Sequence, residues 1–574
     1  MSCLKQISGF VLGLMFLTLT ACATMPAGPA QAPPQAGKRA SLEAMASAYD
    51  HYMRSQLYLS EQQDDLAIEH LKAAIEADPG SAFLEIELSR FHLLHNQFED
   101  ALAHAREAVA KDPESTEARS IVASLLRATK RYKEAVVEYE ALLKQKPDSE
   151  DALLILGTMY ADLKQLDKSR EHFERLIKLQ PDSFLGYYYL GRLALDQGAD
   201  QEAEKHFKKA VEIKPDFSVA LSELAALYER EKRYDQALET YRQLYEVGRG
   251  SGTALARMGR LYLMTKQDAK ADQVFKEMVD SAVEPDRAWL QIGLIYFDQE
   301  RYDQAVEAFR NVLQEVPDDD RARYYLAAAY EGKDDLETAV KEFTRIKPGS
   351  EVYADSRIHL AYLLAELKRH DEAVVLLKKA IETEPEKGRL FLSLGSLYEM
   401  DQKYEPARDA LLKGIELDPN NPDLHFRLGV VLDKMGDKQG TIREMNRVIE
   451  LDPNDADANN YLAYTWAELG QRLDKALELA QRANRLKPDN GYITDTVAWV
   501  HFKKGDFAQA VKFLERAVEL VRDDPIITEH LGDAYARVGL HRKALDAYLK
   551  SLKIGPEDKA RLEKKIEALK KLLD

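Results

Sequence analysis

The sequence predicts an all-α protein: a linear array of about fifteen helical hairpins closed by one further helix. Three observations predict it. The 574 residues are 45% apolar and 31% charged, a mix that combines core-forming surface with good helix formers. Prolines recur at Pro79, Pro113, Pro147, Pro181 and Pro215, each 34 residues after the last, and a fixed period of this length marks a repeat. Within each period a small residue is followed three positions later by a large one, and a second small residue, usually alanine, comes twelve after the first.

The elements follow in chain order. Residues 1–21 carry Lys5 and then a 13-residue apolar run from Gly9 to Ala21, too short to span a bilayer as a helix and matching the h-region of an export signal. The run ends in Leu19-Thr20-Ala21-Cys22, which resembles the lipobox of bacterial lipoproteins. That resemblance implies lipidation of Cys22, which becomes the mature N-terminus. Ordinary signal cleavage after Ala23 is the alternative, since Ala21-Cys22-Ala23 also fits the small-x-small rule. Ala23 stands where lipoproteins retained in the inner membrane tend to carry Asp, so the resemblance implies the periplasmic face of the outer membrane, with the inner membrane or free periplasm as alternatives. Residues 22–40 hold Pro26, Pro29, Pro33 and Pro34 among Ala and Gly. They read as an extended tether reaching on the order of 50 Å.

Residues 41–556 are the array. After Pro215 the period resumes at Pro285, two repeats on, and continues through Pro317, Pro348, Pro385, Pro419, Pro453, Pro488, Pro525 and Pro556. The first small position never holds a residue larger than Ser: Ser55, Ser89, Ala123, Gly157 and Gly191 begin the series and Gly532 ends it. The second runs from Ala67 to Ala544, with Ser169 and Thr441 as its only non-alanines. Short side chains let two antiparallel helices approach, and the neighbouring large residue fills the volume beside them. Pairs such as Pro147-Asp148, Pro181-Asp182 and Pro453-Asn454 stop one helix and are expected to offer a capping oxygen to the next.

Period and residue order together resemble the tetratricopeptide repeat, over residues 48–556. The resemblance implies a right-handed α-solenoid superhelix whose first helices line a groove that grips a segment of a partner protein. Local departures are Arg249 in place of a proline, and Ala105 and Ala480 where a bulky residue is expected. Residues 557–574 form a charged helical pattern with Leu562, Ile566, Leu569 and Leu573 on one stripe, suited to cap an open array. A coiled-coil seam is the weaker alternative, with only about two heptads available.

Charge and motif content then narrow the function. Asp and Glu number 98 against 80 Lys and Arg, which argues against nucleic acid or an anionic membrane as a partner. Membrane contact is expected through the N-terminal lipid alone. The two cysteines, Cys3 and Cys22, leave the array without disulfide or thiolate metal chemistry. No metalloprotease, phosphate-loop or nucleophile-elbow motif occurs, and outside the array there is no room for a catalytic domain, so no enzyme activity, cofactor, metal or small-molecule substrate is expected. His92 stands in a large-residue core position rather than pairing with His95 on a metal. The run Asp318-Asp319-Asp320 reads as a helix start.

Positions three before and one after each first small residue share one helical face, the face expected to look into the groove. They give Tyr188 and Arg192, Arg260, Leu290 and Leu294, Tyr324, Tyr362, Phe426, Asn460 and Tyr464, then Asp495 and Trp499. Aromatic and Arg side chains of this kind carry interface energy, although they equally suit packing between repeats. No repeat carries the Lys and Asn pair with which some family members clamp a terminal carboxylate. The expected function is a lipid-anchored scaffold or adaptor for protein partners of the cell envelope, in envelope assembly, secretion, polysaccharide export or pilus biogenesis. The alternatives are a chaperone-like carrier of unfolded or glycan-linked clients and a noncatalytic regulator of a cell-wall enzyme.

Overall fold

The computed structural model describes residues 41–248, 252–556 and 558–573. Cys22, the tether and Arg249 lie outside them. Among the described residues all regular structure is α-helical, in 31 helices from Leu42–Ser60 to Lys559–Leu573. They fall into two compact units, divided between Leu227 and Tyr228. Within each unit consecutive helices pair as hairpins, a first helix such as Glu150–Asp162 with a second such as Leu166–Leu179.

The small residues set each hairpin as the sequence predicts. Every residue at the second small position, from Ala67 to Ala544, is fully buried. At the first position, a Cβ built on Gly157, Gly191, Gly259 or Gly293 would come within 2.4, 2.6, 2.1 or 2.5 Å of the phenylalanine ring sixteen residues later. Nothing larger than glycine therefore fits beneath Phe173, Phe207, Phe275 or Phe309. At two polar small positions the hydroxyl crosses the hairpin: Ser89 donates to the Ala101 carbonyl at 2.7 Å and Ser169 to the Gly157 carbonyl at 2.6 Å. The two missing bulky residues are made good by larger neighbours. Beside Ala105, His92 stacks on His104 at 5.4 Å, and Ala480 shares its apolar cluster with buried Trp466. His92 is thus a core residue, with Gln97 on its Nδ1 at 2.6 Å.

Capping corrects one expectation. At the Pro147-Asp148, Pro181-Asp182 and Pro453-Asn454 pairs the oxygen that opens the first helix is not on the residue after the proline but on the next one. Ser149 and Ser183 accept from the N–H groups of Ala152 and Gly186, and Asp455 accepts from Ala458. The Ser149 N–H closes a turn onto the Lys146 carbonyl at 3.1 Å, so Asp148 falls inside that turn, one residue short of the cap. Asp319 caps in the same way, accepting from Ala322 at 2.8 Å, while Asp318 pairs with Lys347.

Two regularities were not anticipated. Just beyond each first helix, seven residues after its small residue, stands one residue in the left-handed region: glycine at Gly198 or Gly505, but Lys at Lys130, Lys164 and Lys368. Secondly, a residue four before the small one latches onto the second helix nineteen residues on. Arg119 meets Glu138 at 2.8 Å, Arg323 meets Glu342 at 2.9 Å and His425 meets Glu444 at 2.8 Å, while Glu85 and His104 make the pair in reverse at 2.7 Å. Three of these groups also donate to the carbonyl of the preceding loop proline, Arg119 to Pro113, Arg323 to Pro317 and His425 to Pro419, tying the hairpin to its own entry.

The last helix packs as a cap. Leu562, Ile566 and Leu569 are buried with Ala544, Ala547 and Tyr548 of the preceding hairpin. Lys565 reaches Glu529 at 2.8 Å and Asp533 at 2.6 Å. Leu573, the fourth residue of the predicted stripe, is left exposed.

Candidate partner-binding surface

First helices do more than pair within hairpins. Within the second unit Gly388–Met400 packs beside Pro422–Lys434, and Ala456–Glu468 beside Gly491–Lys504, so first helices form a row. A ladder of polar contacts runs along it. An acidic residue four after one small position meets the residue two before the next: Glu229 with Arg257 at 3.8 Å, Glu331 with His359 at 3.6 Å, Glu399 with Arg427 at 3.1 Å. At the next step the Tyr461 hydroxyl donates to Asp433 at 3.0 Å. Burial, reinforced by that carboxylate, raises the Tyr461 phenol above its ordinary range. The recurrence of an acidic residue at this offset was the available sequence signal, and a reading by size alone passes over it.

The face predicted from positions minus three and plus one divides into two groups. Tyr188, Asp495 and Trp499 are buried against the next repeat. Tyr188 packs its ring on Phe207 and Phe217 and accepts a hydrogen bond from Arg192 at 3.2 Å. Trp499, 8% exposed, stacks on His530 at 3.8 Å and on Phe502 at 4.8 Å, and its indole N–H donates to Glu468 at 2.5 Å. Asp495 accepts from His530 Nδ1 at 2.9 Å. Burial pulls the His530 imidazolium down, but Asp495, with Asp533 and Glu468, more than reverses this and leaves it above the ordinary histidine value. Burial likewise works against the Glu468 carboxylate, yet the Trp499 N–H and Lys503 hold it below its usual range.

The second group stays open to a visitor. Tyr362 is 41% exposed, and Leu290, Leu294, Tyr324, Phe426, Asn460 and Tyr464 are half-buried. Asn460 Oδ1 is itself buried and has no hydrogen-bond partner. Tyr324 lies near Phe343 and His359, and burial, aided by Asp355, pushes its hydroxyl up to about 12. Burial also raises Tyr464, with Glu468 and Asp495 adding to it. Arg192 and Arg260 reach across to the next first helix, to Glu223 and Asp298, both at 3.3 Å. These neutral phenols and apolar side chains suit apolar contact and hydrogen bonding with a peptide rather than charge capture.

Elsewhere, a cleft of about 260 Å³ beside the helix Tyr234–Val247, lined among others by Arg242, Tyr262 and Lys270, holds none of these residues. It is below the ~300–1,000 Å³ of small-molecule sites. Among the described residues no three potential ligands converge on a metal centre, and no helix is long and apolar enough to cross a membrane.

A family model described as "Tetratricopeptide repeat" matches residues 92–216, in overlapping segments, and 290–354, 426–491 and 498–559, more than half of the chain. Related models of the same repeat match 51–81, 194–246, 354–387 and 401–436. Among curated proteins, TPR repeat-containing protein MJ1428 of Methanocaldococcus jannaschii is 34% identical over 93 residues, 16% of either chain. TPR repeat-containing protein PA4667 of Pseudomonas aeruginosa is 34% identical over 74 residues, 13% of this chain and 12% of that one. The matched part thus spans less than a fifth of either relative. Among solved structures, yeast Tom70 covers 75% of this chain and 97% of its own at 17% identity and a TM-score of 0.33. YrrB, described as a TPR protein with an unusual peptide-binding site, covers 32% and 95% at 23% identity and a TM-score of 0.28. Likeness at these scores carries no weight for function.

Proposed function

The chain belongs to the tetratricopeptide repeat family and is a protein–protein interaction scaffold, and from that premise we propose that its first-helix row binds an extended or helical segment of an envelope protein. The observation that carries this is the set of exposed and half-buried side chains on that row, Tyr362, Phe426, Asn460 and Tyr464. Apolar rings give contact area at low entropic cost. Arg192 and Arg260, held by carboxylates of the next repeat, position the row rather than seize an acidic ligand.

The place of action in this proposal is the periplasmic face of the outer membrane, with the array tethered through a lipidated Cys22 and acting without catalysis, cofactor or nucleic acid. The Leu19-Thr20-Ala21-Cys22 sequence followed by Ala23 supports it, since multiple acyl chains hold a protein where one chain binds only marginally. Affinity capture from native membranes tests both parts. Tyr362→Ala with Tyr464→Ala should leave helicity and anchoring intact and cut partner recovery by about tenfold. Cys22→Ser should release or misprocess the protein. Unchanged recovery in the double variant, with loss in an Arg192→Ala and Arg260→Ala pair, would move the site to those arginines and make it a reader of acidic groups.

A further inference from the structure

The first helix, Leu42–Ser60, leaves bare the face that later hairpins bury against their predecessors. Two positions show this within the first unit. Two residues after the small position stand buried Phe91, Leu125, Met159 and Leu193, and five before it stand buried Leu84, Ala118, Ala152 and Gly186. The corresponding residues of the first helix are Leu57, 55% exposed, and Asp50. Around them Leu42, Met45, Tyr49 and Met53 lie at spacings of three and four and are 89, 52, 66 and 48% exposed. A stripe of five large apolar side chains at helical spacing is more than scattered surface hydrophobicity.

We propose that this face is an interface with a second copy of the chain, in which two first helices pack antiparallel about a two-fold axis. Two features point to that occupant. The first is charge. Arg54 Nε lies 2.9 Å from Asp50 along the exposed flank of the stripe. With the two-fold placed at Tyr52, Asp50 of each copy faces Arg54 of the other, and Tyr49, Met53 and Leu57 each fall midway between two apolar side chains of the second copy, with Met45 at the end of the row. The stripe is thus complementary to itself, as an isologous contact requires. The second is the far end of the array. A head-to-tail stack of copies would need the outer face of the last hairpin, and that face is occupied by Leu562, Ile566 and Leu569 of the capping helix. Self-association through the head therefore closes as a pair rather than extending as a fibre.

Cysteine crosslinking of the full chain in its native membranes tests this. Met53→Cys should give a disulfide-linked dimer on mild oxidation, whereas Val283→Cys, at a 98% exposed position, should give about tenfold less. Asp50→Arg placed on Met53→Cys brings like charges together and should lower the dimer yield about tenfold, and adding Arg54→Asp should restore it to within about threefold. Equal yields at positions 53 and 283, or a charge exchange that restores nothing, overturn the proposal. Two further outcomes overturn it by naming another occupant. A Met53→Cys chain that neither crosslinks nor reacts with a maleimide is covered by its own residues 1–40. A chain that floats with phosphatidylcholine vesicles until Tyr49→Glu is introduced presents this face to lipid.

Discussion

The two ends of the array are built from one repeat and finished in opposite ways. At the C-terminal end Lys559–Leu573 lays Leu562, Ile566 and Leu569 over the last hairpin and secures them with Lys565 between Glu529 and Asp533. At the N-terminal end Leu42–Ser60 shows Tyr49, Met53 and Leu57 to solvent. Stacked repeats draw stability from nearest neighbours, so an uncovered end lacks one interface's worth of packing. The contrast teaches that a similar apolar stripe is core at one end and contact surface at the other, and that a neighbour decides which.

The sharpest test of this contrast is one substitution made at both ends. Ile566→Asp buries a carboxylate without a partner and should cost about 3–5 kcal/mol, read as lost hydrogen-exchange protection confined to Pro525–Arg537, His541–Ile554 and Lys559–Leu573. Met53→Asp should change stability by no more than about 0.5 kcal/mol while reducing self-association. Equal losses at the two ends would break the comparison.

Between the ends, damage should stay local. Ala305 is fully buried, and Ala305→Leu should force Pro285–Asp298 and Tyr302–Glu315 apart at a cost of about 1–3 kcal/mol. Segment-resolved hydrogen exchange should show the loss between Pro285 and Pro348. Uniform loss across both units would contradict a modular array.

A smaller effect separates two helices, one in each unit, by pH. In the first, burial holds His206 below the ordinary histidine value, only partly opposed by Glu202. The stability this confers is present above about pH 6.5 and lost as pH falls through the lowered value. In the second, His530 is held above its ordinary value by Asp495. Its contribution is present below about pH 6.5 and lost as pH rises through the raised value. Acidification should therefore loosen Asp200–Ile213 and tighten Pro525–Arg537 in exchange experiments corrected for intrinsic rate. His530→Asn should abolish the second change alone.

Most of the fold was legible because size is a sequence property. A helix pair that admits only Gly, Ala or Ser announces itself at every repeat, and each predicted second small position is a buried contact. Features that depend on conformation or pairing were not legible. The left-handed residue just beyond each first helix is as often Lys as Gly, so Lys164 gives no sign of its φ of 60°. The cap sits two residues beyond the proline because the turn needs that length, which makes Asp148 a decoy for Ser149. In the candidate site, Tyr362 and Asn460 stand where helical periodicity places them. Trp499 satisfies the same periodicity but is sealed by His530 from the next first helix, a contact between repeats that no single helix reveals.

The central claim is that partners bind along the first-helix row and not on the outer helices, and one hairpin offers both faces for comparison. Tyr362 lies on its first helix, Tyr353–Glu366, and Val375, 65% exposed, on its second, His370–Thr383. A photo-crosslinking amino acid placed at each position in the intact cell reads the two faces directly. Position 362 should yield a discrete crosslinked protein that is absent at 375. Adducts at 375 with none at 362 would contradict the account.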